Sequence, residues 1–209
     1  MRISIFGLGY VGAVCAGCLS ARGHEVIGVD VSQTKIDLIN QGKSPIVEPG
    51  LAELLEAGVN SGLLRGTTDV GAAVLASELS FIAVGTPSKR NGDLDLGYME
   101  SVCKQIGTAL RDKQERHTVV VRSTVLPGTV KNVVIPLIEA ASGKKAGVDF
   151  GVATNPEFLR ESTAIKDYDF PAMTVIGELD TQSGDILQSL YEGLDAPVIR
   201  KSIEVAEMI

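Results

Sequence analysis

The sequence predicts an α/β fold built on a doubly wound, mostly parallel sheet of about eight strands. Three observations carry this. Short apolar or β-branched runs alternate with segments of helical periodicity along all 209 residues. The chain opens on a strand, a glycine turn and a helix, with Gly7, Gly9 and Gly12 in G-x-G-x-x-G spacing. A second apolar run, Glu25 to Val29, ends in Asp30. That acid falls close to the roughly 20 residues past the last glycine expected of a ribose-binding carboxylate.

Together these describe a Rossmann-type dinucleotide site. Gly7 permits a tight turn, Gly9 lets the backbone approach a pyrophosphate, and Gly12 lets the helix lie close to the strand. The helix N-terminus offers free N–H groups and a positive dipole end to the anion. Asp30 accepts hydrogen bonds from ribose hydroxyls and repels a 2′-phosphate, which favours NAD over NADP. The alternative is a glycine turn that joins strand to helix and holds no ligand.

The remaining elements follow in order. Ser32 is placed to cap a helix from about Gln33 to Asn40. Gly42 ends it, and a loop with two prolines leads to a helix over Leu51–Val59. Leu64–Thr68 is a short strand, and Asp69 caps a helix to about Ala76. Leu79–Val84 is a buried strand running into Gly85-Thr86-Pro87. A hydroxyl residue there sits where open α/β sheets bind ligands, or is simply a turn threonine. Leu96–Asp112 is a helix with Cys103 on its apolar face. Thr118–Val121 is a strand leading to Arg122-Ser123-Thr124, and a helix follows Pro127-Gly128 to about Ala141. Val148–Ala153 is the next strand.

That strand leads into the densest polar cluster, Asn155-Pro156-Glu157-Phe158-Leu159-Arg160-Glu161. If the segment turns helical after Pro156, Glu157 and Glu161 share one face. Paired carboxylates at a strand's end suit water activation, proton transfer or hydroxyl binding. They equally suit a solvated helix start. Met173–Gly177 is another strand, Thr181–Leu194 a helix and Ala196–Ile199 a last strand. Ser202 caps a helix that stops unfinished at Ile209. The expected division is therefore 1–201 for the nucleotide-binding domain, its final strand pair extending a six-strand unit, and 202–209 for the start of a linker helix. The chain reads as the front portion of a longer protein.

Composition narrows the partners. Hydrophobic residues make up 44%, enough for a sheet buried on both faces. The net charge of −7 disfavours a general nucleic-acid or anionic-membrane binder. Three cysteines, without disulfide-scaffold spacing, fit a reducing cytoplasm. Uncharged Ile3–Ala21 imitates a signal peptide or short span, but its four glycines and its passage into a strand ending at Asp30 argue against both. Cys15 and Cys18 form a C-x-x-C inside the first helix, with no second pair or His cluster to make a metal site; buried packing thiols are the expectation.

On Asp30, Gly85-Thr86-Pro87, Ser123 to Gly128 and Asn155 to Glu161, the chain resembles the N-terminal NAD-binding domain of the UDP-glucose/GDP-mannose dehydrogenase family. The runs Ile5–Cys18 and Glu161–Phe170 are most similar to the branch that acts on GDP-mannose in bacterial alginate synthesis. The resemblance implies four-electron oxidation of a nucleotide sugar's C6 alcohol to a carboxylate with two NAD. It implies that Tyr10, Val11, Asp30, Lys35, Thr86 and Thr124 line the NAD site. It implies that Glu157 positions water, helped by Thr124, and that Glu161, with Leu159 and Arg160, faces the substrate. The family's nucleophilic cysteine, which makes the second oxidation possible through a thioester, matches none of Cys15, Cys18 or Cys103. That cysteine, a lysine and an asparagine are expected beyond Ile209. Family members commonly form homo-oligomers through the central helix. Two other readings stay open: a two-electron dehydrogenase such as a β-hydroxyacid type, and a stand-alone NAD-binding module that senses redox state.

Overall fold

A computed structural model describes residues 1–209. Strands β1 (Arg2–Phe6), β2 (Glu25–Val29), β3 (Leu64–Thr67), β4 (Leu79–Ile82), β5 (Thr118–Val121), β6 (Gly151–Thr154), β7 (Thr174–Glu178) and β8 (Val198–Ser202) form one sheet. Their order is β3-β2-β1-β4-β5-β6-β7-β8. Every neighbouring pair is parallel except β6 and β7, which run antiparallel through Thr154 opposite Gly177. The sequence predicted a mostly parallel sheet, and this one pair is its antiparallel exception. β7 is reached by a loop and a short helix on the same end of the sheet, not by a full crossover, so the chain returns in the opposite sense.

Helices α1 (Tyr10–Ala21), α2 (Gln33–Asn40), α3 (Leu51–Asn60), α4 (Val70–Ala76), α5 (Gly97–Asp112), α6 (Ile135–Ser142), α7 (Ala164–Asp169), α8 (Thr181–Ser189) and α9 (Ile203–Ala206) cover both faces. Side chains alternate across the strands, so each face has its own core. Ile3 and Ile5 of β1, Phe81 of β4 and Val120 of β5 pack with Leu19, Leu51 and Leu55. Phe6, Ile82, Val119 and Val121 pack on the other face with Ile106, Leu110 and Ile138. A π-helical turn, Val130–Val134, precedes α6. Pro136 has no N–H to give, and the turn before it widens.

Several local expectations shift. Ser32 stands at the N-cap of α2 but makes no side-chain cap; its own amide donates to Asp30 Oδ1 at 2.9 Å. The strand expected from Val148 begins at Gly151. The helix expected to Leu194 ends at Ser189, and the last strand lies later, at Val198–Ser202. After Pro156 the chain stays extended and irregular to a turn at 161–163 before α7. Glu157 and Glu161 therefore do not share a helix face. One cause is local: Glu157 folds its carboxylate back onto the Leu159 amide at 2.7 Å, a turn that competes with helix. No helix is long and apolar enough to cross a membrane. Cys15, Cys18 and Cys103 are free and buried. Burial pushes all three thiols up, Cys103 to about 12, away from nucleophilic use.

Candidate functional site

The carboxyl ends of β1, β2, β4, β5 and β6 meet along one edge, the position where open α/β sheets take ligands. Gly7 turns the chain with φ +97°, and a Cβ there would lie 2.6 Å from the Ala83 carbonyl. A Cβ on Gly12 would lie 1.8 Å from the Gly7 carbonyl. Both glycines are therefore required by the protein itself. Gly9 differs: a Cβ there would meet nothing within 4 Å. The space above Gly9 belongs to no side chain, and α1 begins beside it with no capping side chain and no acid in its first turn. Tyr10 and Val11 line that space, and as the first residues of a helix their amides have no intrahelical acceptor, which is the arrangement a phosphate anion needs.

A trough runs along this edge. Its first section, about 400 Å³, is lined by Gly7, Gly9, Asp30, Lys35, Gly85 and Tyr98. The next, about 260 Å³, shares Gly9 and Gly85 and adds Tyr10, Val11, Thr86, Thr124 and Glu157. A third, about 150 Å³, joins Thr124 and Glu157 to Phe158, Ala206, Glu207 and Ile209. Every cofactor residue suggested by the sequence except Gly12 lines the first two sections; Gly12 lies beneath the turn. This lining, with a carboxylate at one end and hydroxyl groups and a second carboxylate at the other, suits an elongated polar ligand.

Asp30 is 8% exposed in its side chain. Its Oδ2 accepts from the Leu8 amide at 2.8 Å and from Lys35 Nζ at 3.1 Å. Burial disfavours its charge, but the Ser32 and Leu8 amides and the Lys35 ammonium outweigh burial and hold the carboxyl below its ordinary value. Asp30 is thus fixed and ionised at the trough wall. Lys35, which the resemblance places in the NAD site, is its ion-pair partner. The Thr86 hydroxyl donates to the Thr124 carbonyl at 2.7 Å, tying the ends of β4 and β5 together.

The acidic segment divides. Glu157 is half-buried and lines the trough; Glu161 is exposed on the turn beyond it. Leu159 is half-buried against the core. Arg160 is 76% exposed and forked onto Asp167, with Nη2 to Oδ1 at 2.6 Å and Nε to Oδ2 at 3.1 Å. Glu157, Leu159 and Arg160 also border a separate cavity of about 310 Å³ that reaches Arg122, Tyr168 and Tyr191.

Three residues that the sequence did not single out hold this region. Arg122 is buried at the end of β5, and its Nη1 donates to Asn155 Oδ1 and, at 3.0 Å, to the Tyr191 hydroxyl. Tyr191, from the turn after α8, contacts the same Asn155 oxygen. Glu48, buried in the loop before α3, takes a hydrogen bond from the Tyr10 hydroxyl. Burial and then the Glu48 carboxylate push the Tyr10 phenol up to about 12, so it keeps its proton. A charged residue directly after a β-branched strand is the one sequence signal for Arg122. Glu48 carried none.

Residues 1–195 match the model of the UDP-glucose/GDP-mannose dehydrogenase family, NAD binding domain. The whole chain is 80% identical to a GDP-mannose 6-dehydrogenase of Pseudomonas aeruginosa and covers 48% of that protein. It is 40% identical to a UDP-glucose 6-dehydrogenase of Haloferax volcanii, covering 49% of it. Among solved structures, a ternary complex of GDP-mannose dehydrogenase from Pseudomonas aeruginosa superposes with TM-score 0.99 at 80% identity over 100% of this chain and 48% of that one. A UDP-glucose dehydrogenase from Pyrobaculum islandicum gives 0.94 at 40% identity over 99% of this chain and 47% of that one. The chain spans about half the length of the curated relatives it matches.

Proposed function

The chain belongs to the UDP-glucose/GDP-mannose dehydrogenase family as its NAD-binding domain, and from that premise we propose that it is the cofactor-holding half of an enzyme that oxidises GDP-mannose at C6 to the carboxylate with two NAD. The observation that carries the sugar is the contrast in identity: 80% to a GDP-mannose 6-dehydrogenase against 40% to a UDP-glucose enzyme, each over the whole chain.

In this reading the glycine turn and the Tyr10 and Val11 amides bind the pyrophosphate. Asp30, with Lys35 fixing its carboxylate, takes the adenosine ribose, and Thr86 and Thr124 border the opposite end. NAD supplies the hydride acceptor when bound. Glu157 receives a proton from, or orients, a water beside the reacting carbon, with the Thr124 hydroxyl as second partner. Glu161, Leu159 and Arg160 form the sugar-facing turn, with Asp167 steadying Arg160. The second oxidation needs a nucleophile to add to the intermediate aldehyde. The three buried thiols do not serve, so that group comes from outside residues 1–209. We assign residues 1–201 to the NAD domain and 202–209 to the start of a linker. We also assign the whole protein to alginate synthesis in the cytoplasm, as a homo-oligomer, on the same resemblance and on its three free thiols.

The test is stoichiometric. The protein extended to the length of its relatives yields two NADH per GDP-mannose and far less from UDP-glucose. One NADH per sugar with aldehyde accumulating, or preference for UDP-glucose, would overturn the assignment. Residues 1–209 alone bind NAD by calorimetry and turn nothing over.

A further inference from the structure

Glu48 is 7% exposed, and its carboxylate meets no cation. Oε2 accepts from the Tyr10 hydroxyl and from the Ser162 amide at 2.8 Å. Oε1 accepts from the Ala164 amide at 2.9 Å. The Ser162 amide also lies 3.2 Å from the Tyr10 hydroxyl oxygen. One buried carboxylate therefore joins three parts of the chain. Tyr10 opens α1 immediately after Gly9 and lines the trough with Thr124 and Glu157. Ser162 and Ala164 follow directly on the acidic segment.

The turn that Glu48 holds is itself strained. Ser162 has φ +71° and is the one non-glycine residue in the left-handed region. A residue with a Cβ adopts that conformation at a cost. Two donors of this turn end on Glu48, and hydrogen bonds to a charged acceptor are the stronger kind. Without the carboxylate no other group takes the Ala164 amide, and the Ser162 turn keeps only the Thr163 amide on the Arg160 carbonyl at 3.1 Å and the Ser162 amide on the Tyr10 hydroxyl oxygen.

We propose that Glu48 is a positioning residue that clasps the trough-lining Tyr10 to the 157–164 segment, so that cofactor occupancy and the order of that segment are coupled. The proposal rests on the reading of residues 157–161 as the sugar-facing turn. A dinucleotide that packs against Tyr10 restricts the ring whose hydroxyl anchors on Glu48. The ordering is then shared with the Ser162 turn, and by linkage an ordered turn favours the cofactor in return. The coupling runs both ways: bound NAD raises the share of molecules that hold the segment bearing Glu157 and Glu161 in one conformation.

Amide hydrogen exchange reads this directly, because the Ser162 and Ala164 N–H groups are the clasp. In Glu48→Gln one carboxylate oxygen becomes an NH2. It then faces either the Tyr10 and Ser162 donors or the Ala164 donor. Exchange at Ser162 and Ala164 in Glu48→Gln is expected to rise about ten-fold or more, the scale of a lost hydrogen bond to a charged group. The amides of β1 and β5 stay unchanged. Saturating NAD slows exchange at both positions several-fold in the unsubstituted chain, and not in Glu48→Gln. Unchanged exchange in Glu48→Gln, or NAD that binds without slowing Ser162 and Ala164, overturns the proposal. Should Glu48→Gln not fold, Tyr10→Phe keeps the carboxylate and removes only the hydroxyl. The slowing by NAD is then expected to vanish, and its full retention overturns the coupling. Absence of NAD binding by calorimetry in the unsubstituted chain fails the functional reading instead, and exchange in NAD-free Glu48→Gln still decides the clasp.

Discussion

Arg122 and Asn155 meet at the ends of β5 and β6, where the guanidinium Nη1 donates to the Asn155 amide oxygen. Tyr191 closes the group from the other side of the sheet edge, and Asn155 Nδ2 donates to the Val175 carbonyl at 2.8 Å. A buried cation is thus held by neutral acceptors. Burial opposes its charge, but a guanidinium keeps its proton across the ordinary pH range, and the nearby Glu157 carboxylate favours the charged form. The residue that precedes Pro156-Glu157 is pinned by three partners.

Replacing Asn155 with Leu removes both acceptor contacts and leaves the Val175 carbonyl without its donor. Arg122 already has one buried nitrogen, Nε, without a partner. Loss of about 3 kcal/mol of stability is expected, the range for stranding a buried charged donor. Urea denaturation measures it, and an unchanged midpoint would show that the group contributes nothing.

The two glycines nearest the phosphate site should separate cleanly. Gly9→Ala meets open space, so stability changes by less than about 0.5 kcal/mol. NAD affinity falls about ten-fold or more, because the added methyl occupies the anion's place. Gly12→Ala drives a Cβ into the Gly7 carbonyl and costs more than about 4 kcal/mol, or folding altogether. Thermal melts with calorimetry of NAD binding distinguish the two; equal effects would contradict the geometry.

Asp30→Asn keeps an acceptor for Leu8 or Ser32 but loses the charge. NAD binding weakens by about 1–3 kcal/mol, and the preference for NAD over NADP narrows as the repulsion of a 2′-phosphate disappears. Because the carboxyl is held below its ordinary value, its contribution is complete above that ordinary value. It is lost only as the pH falls through the lower, folded one. NAD affinity that changed between pH 6 and pH 8 by the Asp30 route would contradict this.

Acid should destabilise the fold through His117. Its Nε2 lies 2.7 Å from Ser80 Oγ, and its Nδ1 lies 3.1 Å from the Ser77 carbonyl. Burial, then the charge of Lys113, lowers its pKa from 6.5 to about 3. The folded state holds the ring neutral, so stability is full above pH 6.5 and declines as the pH falls toward 3. The slope approaches that of one proton, about 1.4 kcal/mol per pH unit. His117→Gln flattens that slope; an unchanged pH profile of urea midpoints would remove His117 as its source.

The sheet and the glycine turn at its edge are legible in the sequence because their signals are local. Gly7, Gly9, Gly12 and Asp30 each carry a backbone or charge requirement within a few residues of a strand end. β2 and β5 fall where periodicity placed them, at Glu25–Val29 and Thr118–Val121. The acidic segment was legible in composition but not in conformation. Its shape depends on contacts 114 residues away, from Ser162 to Glu48, and on the Glu157 carboxylate turning onto its own loop. Arg122 and Tyr191 were opaque for the same reason: they lie 69 residues apart and meet only once the sheet is built. β8 came late because the turn after α8 at Gly193, φ +84°, takes up residues that periodicity had given to helix.

The reversal between β6 and β7 decides where residues 203–209 lie. A helix that follows a strand doubles back along it, so after a forward strand it departs from the carboxyl edge. Strand β8 travels with β7 and against the first six. The segment from Ile203 therefore climbs toward that edge, and Glu207 docks there on the Gly128 and Val130 amides at 2.6 and 2.8 Å. One inverted hydrogen-bond ladder thus turns the segment that follows β8 inward, and Ala206, Glu207 and Ile209 come to line the groove that holds Thr124 and Glu157.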